Sequence, residues 1–460
     1  MRNFGEINET TMSLKAFKAY DIRGVWGEEI NAEMAYKIGF FLPGLLHADR
    51  VLVGRDCRIS SDELFNSLAH GITDAGAAVD DAGLTTTPLI YWATAKYGYK
   101  ASVIITASHN PKNHNGLKIS AADALPVGYD NGLNELETKV INAVDLKPVA
   151  KGNISSISLN DAYINFLNQY VSDTLNLKIA VDCSNGMSSI FVKQLIGNHS
   201  FYINDIADGN FPGHEPNPLD AENRHQLTQL VIDLKADIGV MFDGDADRVM
   251  FIDELGNFVS PDLIIALMGH YFFGQLGQKG KVLQDIRSSR AVAEYLGQFG
   301  AYVETWRVGR AYGAGKLREI DGVFGGELAG HYYFRDFYYS DSGLMAALIV
   351  LKLVSEFKSA GFSLSALISN ISSYHSTGEI NFKIQDKAIA MSQIVAHFKA
   401  IETPLKFADF DGFRLDYHDW WFNVRPSNTE PYLRFIAEAK DKARLDSVVA
   451  KVTGIIQKLQ

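Results

Sequence analysis

A serine at the junction of an apolar run and a polar turn is the first group in this chain that could do covalent chemistry. Ser108 follows the strand-like residues 104–105 and precedes the turn residues 109–111. A serine hydrolase is disfavoured, because the Gly-x-Ser-x-Gly elbow of that class is missing. Lys118 lies in the next strand-like run and could place a cation near the hydroxyl. The alternative is an ordinary Ser-Asn-Pro turn without function.

Three carboxylates at alternate positions follow the apolar run 238–242. In an extended turn, the side chains of Asp243, Asp245 and Asp247 can converge on one hard cation. Three anions packed together without a cation would repel one another at considerable cost. A metal site is therefore favoured over a solvated acidic turn.

The identity of the metal can be narrowed from the same loop. An EF-hand calcium site is a rival, since Glu254 occupies the twelfth position counted from Asp243. It fails because the sixth position is Arg248, where that loop needs a glycine, and because a strand leads into the loop. Magnesium completed by a phosphate oxygen fits three carboxylates better, and Arg248 offers a guanidinium fork for that phosphate.

Two further loops carry groups suited to a sugar phosphate. Glu327 lies in the glycine-rich segment 324–331 and could accept hydrogen bonds from two neighbouring sugar hydroxyls. The segment 425–431 and the residue Arg434 place two arginines and three small polar residues around a turn, which is a plausible phosphate seat. Taken alone, the first could be a turn with a capping glutamate, and the second a surface turn with solvated arginines.

Composition sets limits on the partners. The chain has 460 residues and a formal net charge of −11, which argues against nucleic acid and anionic membrane as partners. It lacks both an apolar run long enough to span a bilayer and the apolar region of a secretory signal. The two cysteines, Cys57 and Cys183, fit a reducing cytosol. We therefore expect a cytoplasmic protein that binds small molecules.

The elements that must position these loops alternate between strands and helices over three-quarters of the chain. This pattern predicts three similar α/β units with mixed, largely parallel sheets, whose sites lie at the carboxyl ends of strands. A helix is expected from Ser60, with Ser60 and Glu63 as a capping box. The apolar stripe from Leu445 to Leu459 predicts a helix in a C-terminal α+β unit. The expected domains around a central cleft are residues 1–152, 153–256, 257–368 and 369–460.

The four loops, in this order, resemble those of the α-D-phosphohexomutase superfamily over nearly the whole chain. The matching motifs are the serine loop, the metal loop, the sugar loop and the phosphate loop, at residues 106–111, 243–248, 326–331 and 425–431. Residues 20–24 and 211–218 add further agreement. The resemblance implies four domains around one cleft, each of which contributes one loop.

The resemblance also implies a reaction. A phosphoryl group on Ser108 would pass to the free hydroxyl of a hexose 1- or 6-phosphate. The resulting hexose 1,6-bisphosphate, which is both intermediate and activator, would turn over in the cleft and return its other phosphoryl group to the serine. Mg²⁺ would be held by Ser108, Asp243, Asp245 and Asp247. The sugars implied are mannose and glucose, and a phosphoglucosamine mutase is the alternative.

The remaining roles follow from the same resemblance. Arg23, Lys118 and Arg248 would balance transition-state charge, His331 and Lys118 are the acid/base candidates, and His109 would shape the serine loop. The substrate-binding residues would be Arg287, Arg310, Glu327, Ala329, Arg425, Ser427, Asn428, Thr429 and Arg434. Three of them depart from the usual pattern, which leaves the choice of sugar open. Ala329 replaces a serine, Arg287 a lysine and Arg310 a histidine.

Two other functions are compatible with parts of the pattern. A phosphatase could use Asp243 as its nucleophile, with Asp245 two residues on, although Asp247 does not fit that class. A sugar-phosphate sensor could have kept the fold and lost turnover, but the intact serine, carboxylates and arginines argue against it. We expect a monomer or homodimer that binds phosphosugars and neither nucleic acid nor membrane.

Overall fold

The first α/β unit carries the serine loop. The computed structural model of the chain describes residues 14–427 and 432–459. The strands of the first sheet are β1 (Ile22–Val25), β2 (Arg50–Arg55), β3 (Ala78–Leu84), β4 (Ala101–Ile105), β5 (His114–Ala121) and β6 (Ile154–Ser156). Their order is β1-β5-β4-β2-β3-β6, and β5 runs antiparallel to both of its neighbours. The helices are α1 (Ala32–Leu46), α2 (Ser61–Asp74), α3 (Thr87–Lys96) and α4 (Leu133–Ile141).

The second unit carries the metal loop. Its strands are β7 (Ile179–Asp182), β8 (Phe201–Ile203), β9 (Ile238–Phe242), β10 (Val249–Asp253) and β11 (Phe258–Val259). Strands β8, β7 and β9 are parallel, and β10 and β11 extend the sheet in antiparallel fashion. The helices are α5 (Asn160–Leu167), α6 (Val192–Ile196) and α7 (His225–Leu234).

The third unit repeats this plan on a smaller sheet. Its strands are β12 (Lys281–Asp285), β13 (Tyr302–Trp306), β14 (Phe324–Gly326) and β15 (Tyr332–Phe334). The order is β13-β12-β14-β15, and the β14–β15 pair is antiparallel. The helices are α8 (Pro261–Gly269), α9 (Arg290–Gly297), α10 (Arg310–Glu319), α11 (Gly343–Ser359) and α12 (Leu364–Ile371).

The last unit is an antiparallel sheet covered by two helices. Its strands are β16 (His375–Ser376), β17 (Ile380–Lys383), β18 (Lys406–Ala408), β19 (Phe413–Asp416), β20 (Trp420–Pro426) and β21 (Tyr432–Ala439). The helices are α13 (Lys387–Ile401) and α14 (Lys442–Gln457). Leu445, Val448, Val452 and Ile456 of α14 are buried, as their helical spacing predicts. The observed architecture is the predicted one, and the predicted domain boundaries remain predictions.

One local prediction is wrong. Ser60 precedes α2, but its side chain does not cap the helix. Instead, its hydroxyl accepts a hydrogen bond of 2.8 Å from Asn115 Nδ2 on β5, which ties the start of α2 to the strand after the serine loop. A tertiary partner has therefore replaced the local one.

Each of the four loops joins two neighbouring antiparallel strands. The serine loop joins β4 to β5, the metal loop β9 to β10, the sugar loop β14 to β15 and the phosphate loop β20 to β21. A continuous apolar core, which includes Trp92, Phe191, Phe272 and Phe337, packs the first three units against one another. Within the described residues, no helix is long and apolar enough to cross a membrane.

Candidate active site

The serine loop is held in an unusual backbone conformation. Ser108 is fully buried and has a φ of 52°, which is uncommon for a residue with a side chain. The guanidinium of Arg58 secures this shape, since it donates hydrogen bonds to the carbonyl oxygens of Ser108, Asn110, Pro111 and His114 at 2.6–3.0 Å. The conformation of the serine loop is therefore held by contacts within the protein itself.

Ser108 lies directly against the metal loop. Its hydroxyl donates a hydrogen bond of 2.9 Å to Asp243 Oδ2. The two backbones are also in close contact, because a Cβ added at Gly244 would lie 2.6 Å from the carbonyl oxygen of Ser108. Gly186 is also close to Gly244, because a Cβ added at Gly186 would lie 2.6 Å from the Gly244 carbonyl oxygen. Glycine is thus required where three loops stack.

The three predicted carboxylates converge. Asp243, Asp245 and Asp247 are buried, and one oxygen from each lies within 4.8 Å of the others. Lys118 Nζ donates to Asp245 Oδ2 at 2.6 Å and to Asp247 Oδ2 at 2.5 Å. Thr87 Oγ1, from the start of α3, donates to Asp245 Oδ2 at 2.5 Å. Strands β5 and β9 thus bring a cation and three anions to one point.

The charges at this point are incompletely balanced. Burial lowers the pKa of Lys118, but the attraction of Asp245 and Asp247 is stronger, so its pKa is raised and the ammonium stays charged. Burial also raises the pKa of Asp247, but Lys118 and then His331 more than reverse this effect and the pKa is lowered. Burial and the charges of Asp245 and Asp247 raise the pKa of Asp243 well above its usual range.

These residues fit a divalent cation. The donor set consists of carboxylate oxygens, which is the chemistry that Mg²⁺ prefers. Oδ1 of Asp245 and Oδ1 of Asp247 are buried without a hydrogen-bond partner in the described structure. Burial, followed by the charges of Asp245 and Asp247, raises the pKa of Asp243, and a bound cation would oppose this effect. A second group of possible ligands, Asp247, His331 and Asp341, shares one of these residues.

Arg23 and His109 flank the serine. Arg23 on β1 donates to Asn110 Oδ1 at 2.8 Å and pairs with Asp21 at 2.5 Å, so its guanidinium lies beside the serine loop. Burial lowers the pKa of Arg23, but Asp21 and the metal-loop carboxylates raise it overall. His109 Nδ1 lies 3.4 Å from Ser108 Oγ. Burial, together with the neighbouring cations, lowers the pKa of His109 well below its usual range, so this imidazole is neutral.

A chain of polar contacts leads from the metal loop to the third unit. Arg248 Nε donates to His331 Nε2 at 2.9 Å and lies 3.8 Å from Asp243 Oδ2. His331 Nδ1 is 2.6 Å from Asp341 Oδ2, so Nδ1 carries the proton while Nε2 accepts. The other oxygen of Asp341 accepts from Arg310 Nε at 3.0 Å. The metal loop, the sugar loop and α10 therefore share one network.

The sugar loop presents Glu327 from a buried position. Its Oε1 accepts from the Tyr333 hydroxyl at 2.5 Å, and its Oε2 accepts from the Gly309 backbone amide at 3.1 Å. Burial raises the pKa of Glu327. Ala329 is half-buried two residues further on. Arg287, two residues after the end of β12, pairs with Asp285 at 2.7 Å and approaches Glu327 to 3.9 Å.

The phosphate loop is flanked by arginines on adjacent strands. Arg425 on β20 and Arg434 on β21 are direct cross-strand partners. Both donate to Glu379, which precedes β17, at 3.3 Å and 2.9 Å. Ser427 is buried, and its backbone amide donates a hydrogen bond of 2.8 Å to the Tyr432 carbonyl oxygen. The predicted ligands Asn428 and Thr429 lie outside the described residues.

Sequence reasoning missed four residues of this site, namely Arg58, Thr87, Asp341 and Glu379. Arg58 follows the end of β2, where a polar run after an apolar strand was a usable signal. Asp341 precedes Ser342, the residue that caps α11, and so had a local signal too. Thr87 and Glu379 had none, because their partners lie 158 residues away in one case and 46 and 55 residues away in the other.

Comparison with known proteins agrees with this arrangement. Models of the phosphoglucomutase/phosphomannomutase family match in order. Alpha/beta/alpha domains I, II and III match residues 14–144, 161–256 and 260–374, and the C-terminal domain matches residues 379–455. A phosphomannomutase of Vibrio cholerae is 36% identical over 463 residues, which cover 97% of this chain and 99% of that protein. A phosphomannomutase of Methanocaldococcus jannaschii is 34% identical over 455 residues, which cover 97% and 98%.

A solved structure shares the whole fold. The crystal structure of a phosphoglucomutase/phosphomannomutase family protein from Burkholderia thailandensis matches with a TM-score of 0.87 and 27% identity, over 97% of this chain and 98% of that one. The four-unit architecture and the serine–carboxylate centre define a phosphosugar mutase. The chain belongs to the phosphoglucomutase/phosphomannomutase family. The predicted superfamily and fold class are confirmed, and the phosphatase and sensor alternatives are disfavoured.

Proposed function

We propose that the protein is a Mg²⁺-dependent phosphohexomutase that interconverts the 1- and 6-phosphates of mannose and glucose through phosphorylated Ser108 and a hexose 1,6-bisphosphate. The observation that carries the proposal is the 2.9 Å contact between Ser108 Oγ and Asp243 Oδ2, within a trio of buried carboxylates. Mannose is supported by the phosphomannomutases to which the chain is similar.

Phosphoryl transfer needs positioning and charge neutralisation more than covalent help. The P–O bond to Ser108 breaks while a bond forms to the free sugar hydroxyl, and the return step reverses these roles. Arg23 and Lys118 place positive charge near the serine that does not have to reorganise during the reaction, and Arg248 would add a third cation when it turns toward the phosphate. Mg²⁺, when held by Ser108, Asp243, Asp245 and Asp247, would supply two further positive charges.

The sugar hydroxyl must lose a proton when it attacks and regain one when it leaves. Lys118 is held charged by two carboxylates and therefore serves better as a fixed cation than as a base. His331 is held as the Nδ1–H tautomer by Asp341 and has a lone pair on Nε2, where Arg248 now donates. His331 is thus the better acid/base candidate, once Arg248 turns toward the phosphate.

The other roles in the proposal follow from the resemblance to phosphohexomutases and, for the described residues, from position as well. Glu327 would accept from sugar hydroxyls, and Ala329 would line the sugar beside it. The phosphate that is not reacting would be held by Arg287, Arg425, Ser427, Asn428, Thr429 and Arg434. Arg310 would lie at the edge of the sugar site. We place the enzyme in the cytoplasm, as a monomer or homodimer; the free thiols of Cys57 and Cys183 are consistent with that compartment.

A comparison of rates tests the proposal. The purified protein is given mannose, glucose and glucosamine 1-phosphates side by side, with Mg²⁺ and a trace of hexose 1,6-bisphosphate. We expect 6-phosphate products from mannose and glucose at similar rates and little from glucosamine. Ser108→Ala should abolish the exchange and retain binding of the sugar phosphate. Release of inorganic phosphate in place of isomerisation would contradict the proposal.

A further inference from the structure

The arginines of the phosphate seat converge on a carboxylate of the protein itself. Glu379 Oε1 accepts from Arg434 Nη1 at 2.9 Å, and its Oε2 lies 3.3 Å from Arg425 Nη2 and 3.8 Å from Arg287 Nη1. One carboxylate thus lies among three guanidinium groups, which come from the third unit and from two strands of the fourth. No role for Glu379 follows from the four loop motifs.

The charges explain why an anion is needed there. Arg425 is buried, and burial together with the nearby charge of Arg287 lowers its pKa. Three clustered cations repel one another unless an anion lies between them. Arg287 has a second carboxylate in Asp285 at 2.7 Å, and it lies farther from Glu379 than Arg425 and Arg434 do.

The position of Glu379 also allows its side chain to move away from the arginines. Its side chain is 22% exposed, whereas that of Arg425 is 5% exposed, so the carboxylate has a route to water that the arginine lacks. It follows Gly378, whose φ is 61°, in the irregular segment 377–379 between β16 and β17. A phosphate carries more charge than a carboxylate and offers three oxygens to guanidinium donors where Glu379 offers two.

We propose that Glu379 is an internal counter-ion that competes with the substrate's non-reacting phosphate for Arg287, Arg425 and Arg434 and is displaced when that phosphate binds. The inference rests on the proposed function for the identity of the substrate. It extends that function with a built-in competitor: the carboxylate weakens phosphate binding, so that a bisphosphate can release one phosphate from the arginines and turn over.

The experiment measures binding of inorganic phosphate by calorimetry, in chelator and at fixed ionic strength, to the parent chain, to Glu379→Gln and to Glu135→Gln. Glu135 is a matched control, because it is exposed on α4 and loses its pairing with Lys139 through the same change. We expect Glu379→Gln to bind phosphate about 10-fold more tightly, the effect of removing one competing charge-assisted contact. Glu135→Gln should match the parent.

A second pair of variants locates the effect. In an Arg425→Ala/Arg434→Ala background, which removes both close partners of Glu379, the added Glu379→Gln change should no longer tighten phosphate binding. Unchanged or weaker binding by Glu379→Gln would overturn the inference, since it would mean that the carboxylate orients the arginines. A gain that persists without both arginines would also overturn it, because the phosphate would then bind elsewhere.

Two further points make the result of this experiment interpretable. Circular dichroism confirms folding, and if Glu379→Gln is unfolded, Glu379→Asp replaces it, with an intermediate gain expected from its shorter reach. Binding of inorganic phosphate requires no turnover. A chain that exchanges no hexose phosphate would therefore refute the proposed function while this test still gave an answer.

Discussion

Adding one methyl group at Gly244 should disable the serine without touching any charged group. A Cβ at this position would lie 2.6 Å from the Ser108 carbonyl oxygen and 3.3 Å from Pro216 Cβ. The backbone of Gly244 lies outside the left-handed region, so the effect of Gly244→Ala is steric. Because Pro216 also lies close to the added Cβ, the strain must be relieved by a shift of the serine loop relative to the metal loop, which changes the geometry between Ser108 and the carboxylates.

The size of the effect follows from the contact distance. Restoring an ordinary contact of about 3.5 Å requires a displacement of about 0.9 Å. A misplacement of about 1 Å can reduce the rate of an oriented reaction about 100-fold, so we expect kcat to fall between about 10- and 100-fold. Overpacking of this kind costs about 1–3 kcal/mol of stability, which leaves the chain folded.

The assay follows conversion of glucose 1-phosphate with a dehydrogenase that consumes glucose 6-phosphate, and thermal unfolding is recorded in parallel. Gly454→Ala is the matched control, since nothing lies within 4 Å of a Cβ added there on α14. That control should keep full activity and gain about 1 kcal/mol of stability from helix propensity. If Gly244→Ala retained more than half of the parent kcat, the close stacking of the serine and metal loops would not matter for catalysis.

Three other predictions concern stability, the serine loop and the metal. Burial and Asp262 raise the pKa of Glu438 from about 4.5 to about 7, so the folded state favours its protonated form and loses stability as pH rises through 7. Glu438→Gln should therefore raise the thermal unfolding midpoint at pH 8.5 but leave it unchanged at pH 4.5, with a gain of up to about 3 kcal/mol. Arg58→Lys removes most of the hydrogen bonds to the Ser108 loop and should lower kcat at least 10-fold, as judged by initial rates. Chelator should abolish exchange, and added Mg²⁺ should restore it within one assay.

The parts of the site that the sequence predicts are those whose signal lies in residues adjacent in the chain. Ser108 and the three aspartates each follow an apolar run that forms a buried strand, so their placement at strand ends needed no tertiary information. The alternate spacing of the aspartates predicts that they converge on a cation, and the resemblance to the phosphohexomutases implies that Ser108 joins them. Lys118 was expected near the serine, and the structure places its ammonium on two of those carboxylates.

The parts that escaped prediction depend on distant partners. Arg58 is separated from Ser108 by 50 residues, and no spacing rule connects a guanidinium to four carbonyl oxygens of a remote turn. Glu379 lies in a short irregular segment, where a glutamate is usually solvated. Ser60 shows the converse, because its local pattern indicated a capping box while its hydroxyl bonds to Asn115 on another element.

Mass spectrometry of the protein's own phosphorylation tests the central claim most directly. The chain is incubated with a hexose 1,6-bisphosphate and Mg²⁺, digested, and mapped for the modified residue. One phosphoryl group on Ser108, lost when hexose phosphate is added in excess, is the predicted result. A phosphoryl group on Asp243, or exchange that proceeds with Ser108 unmodified or replaced by alanine, would contradict the account.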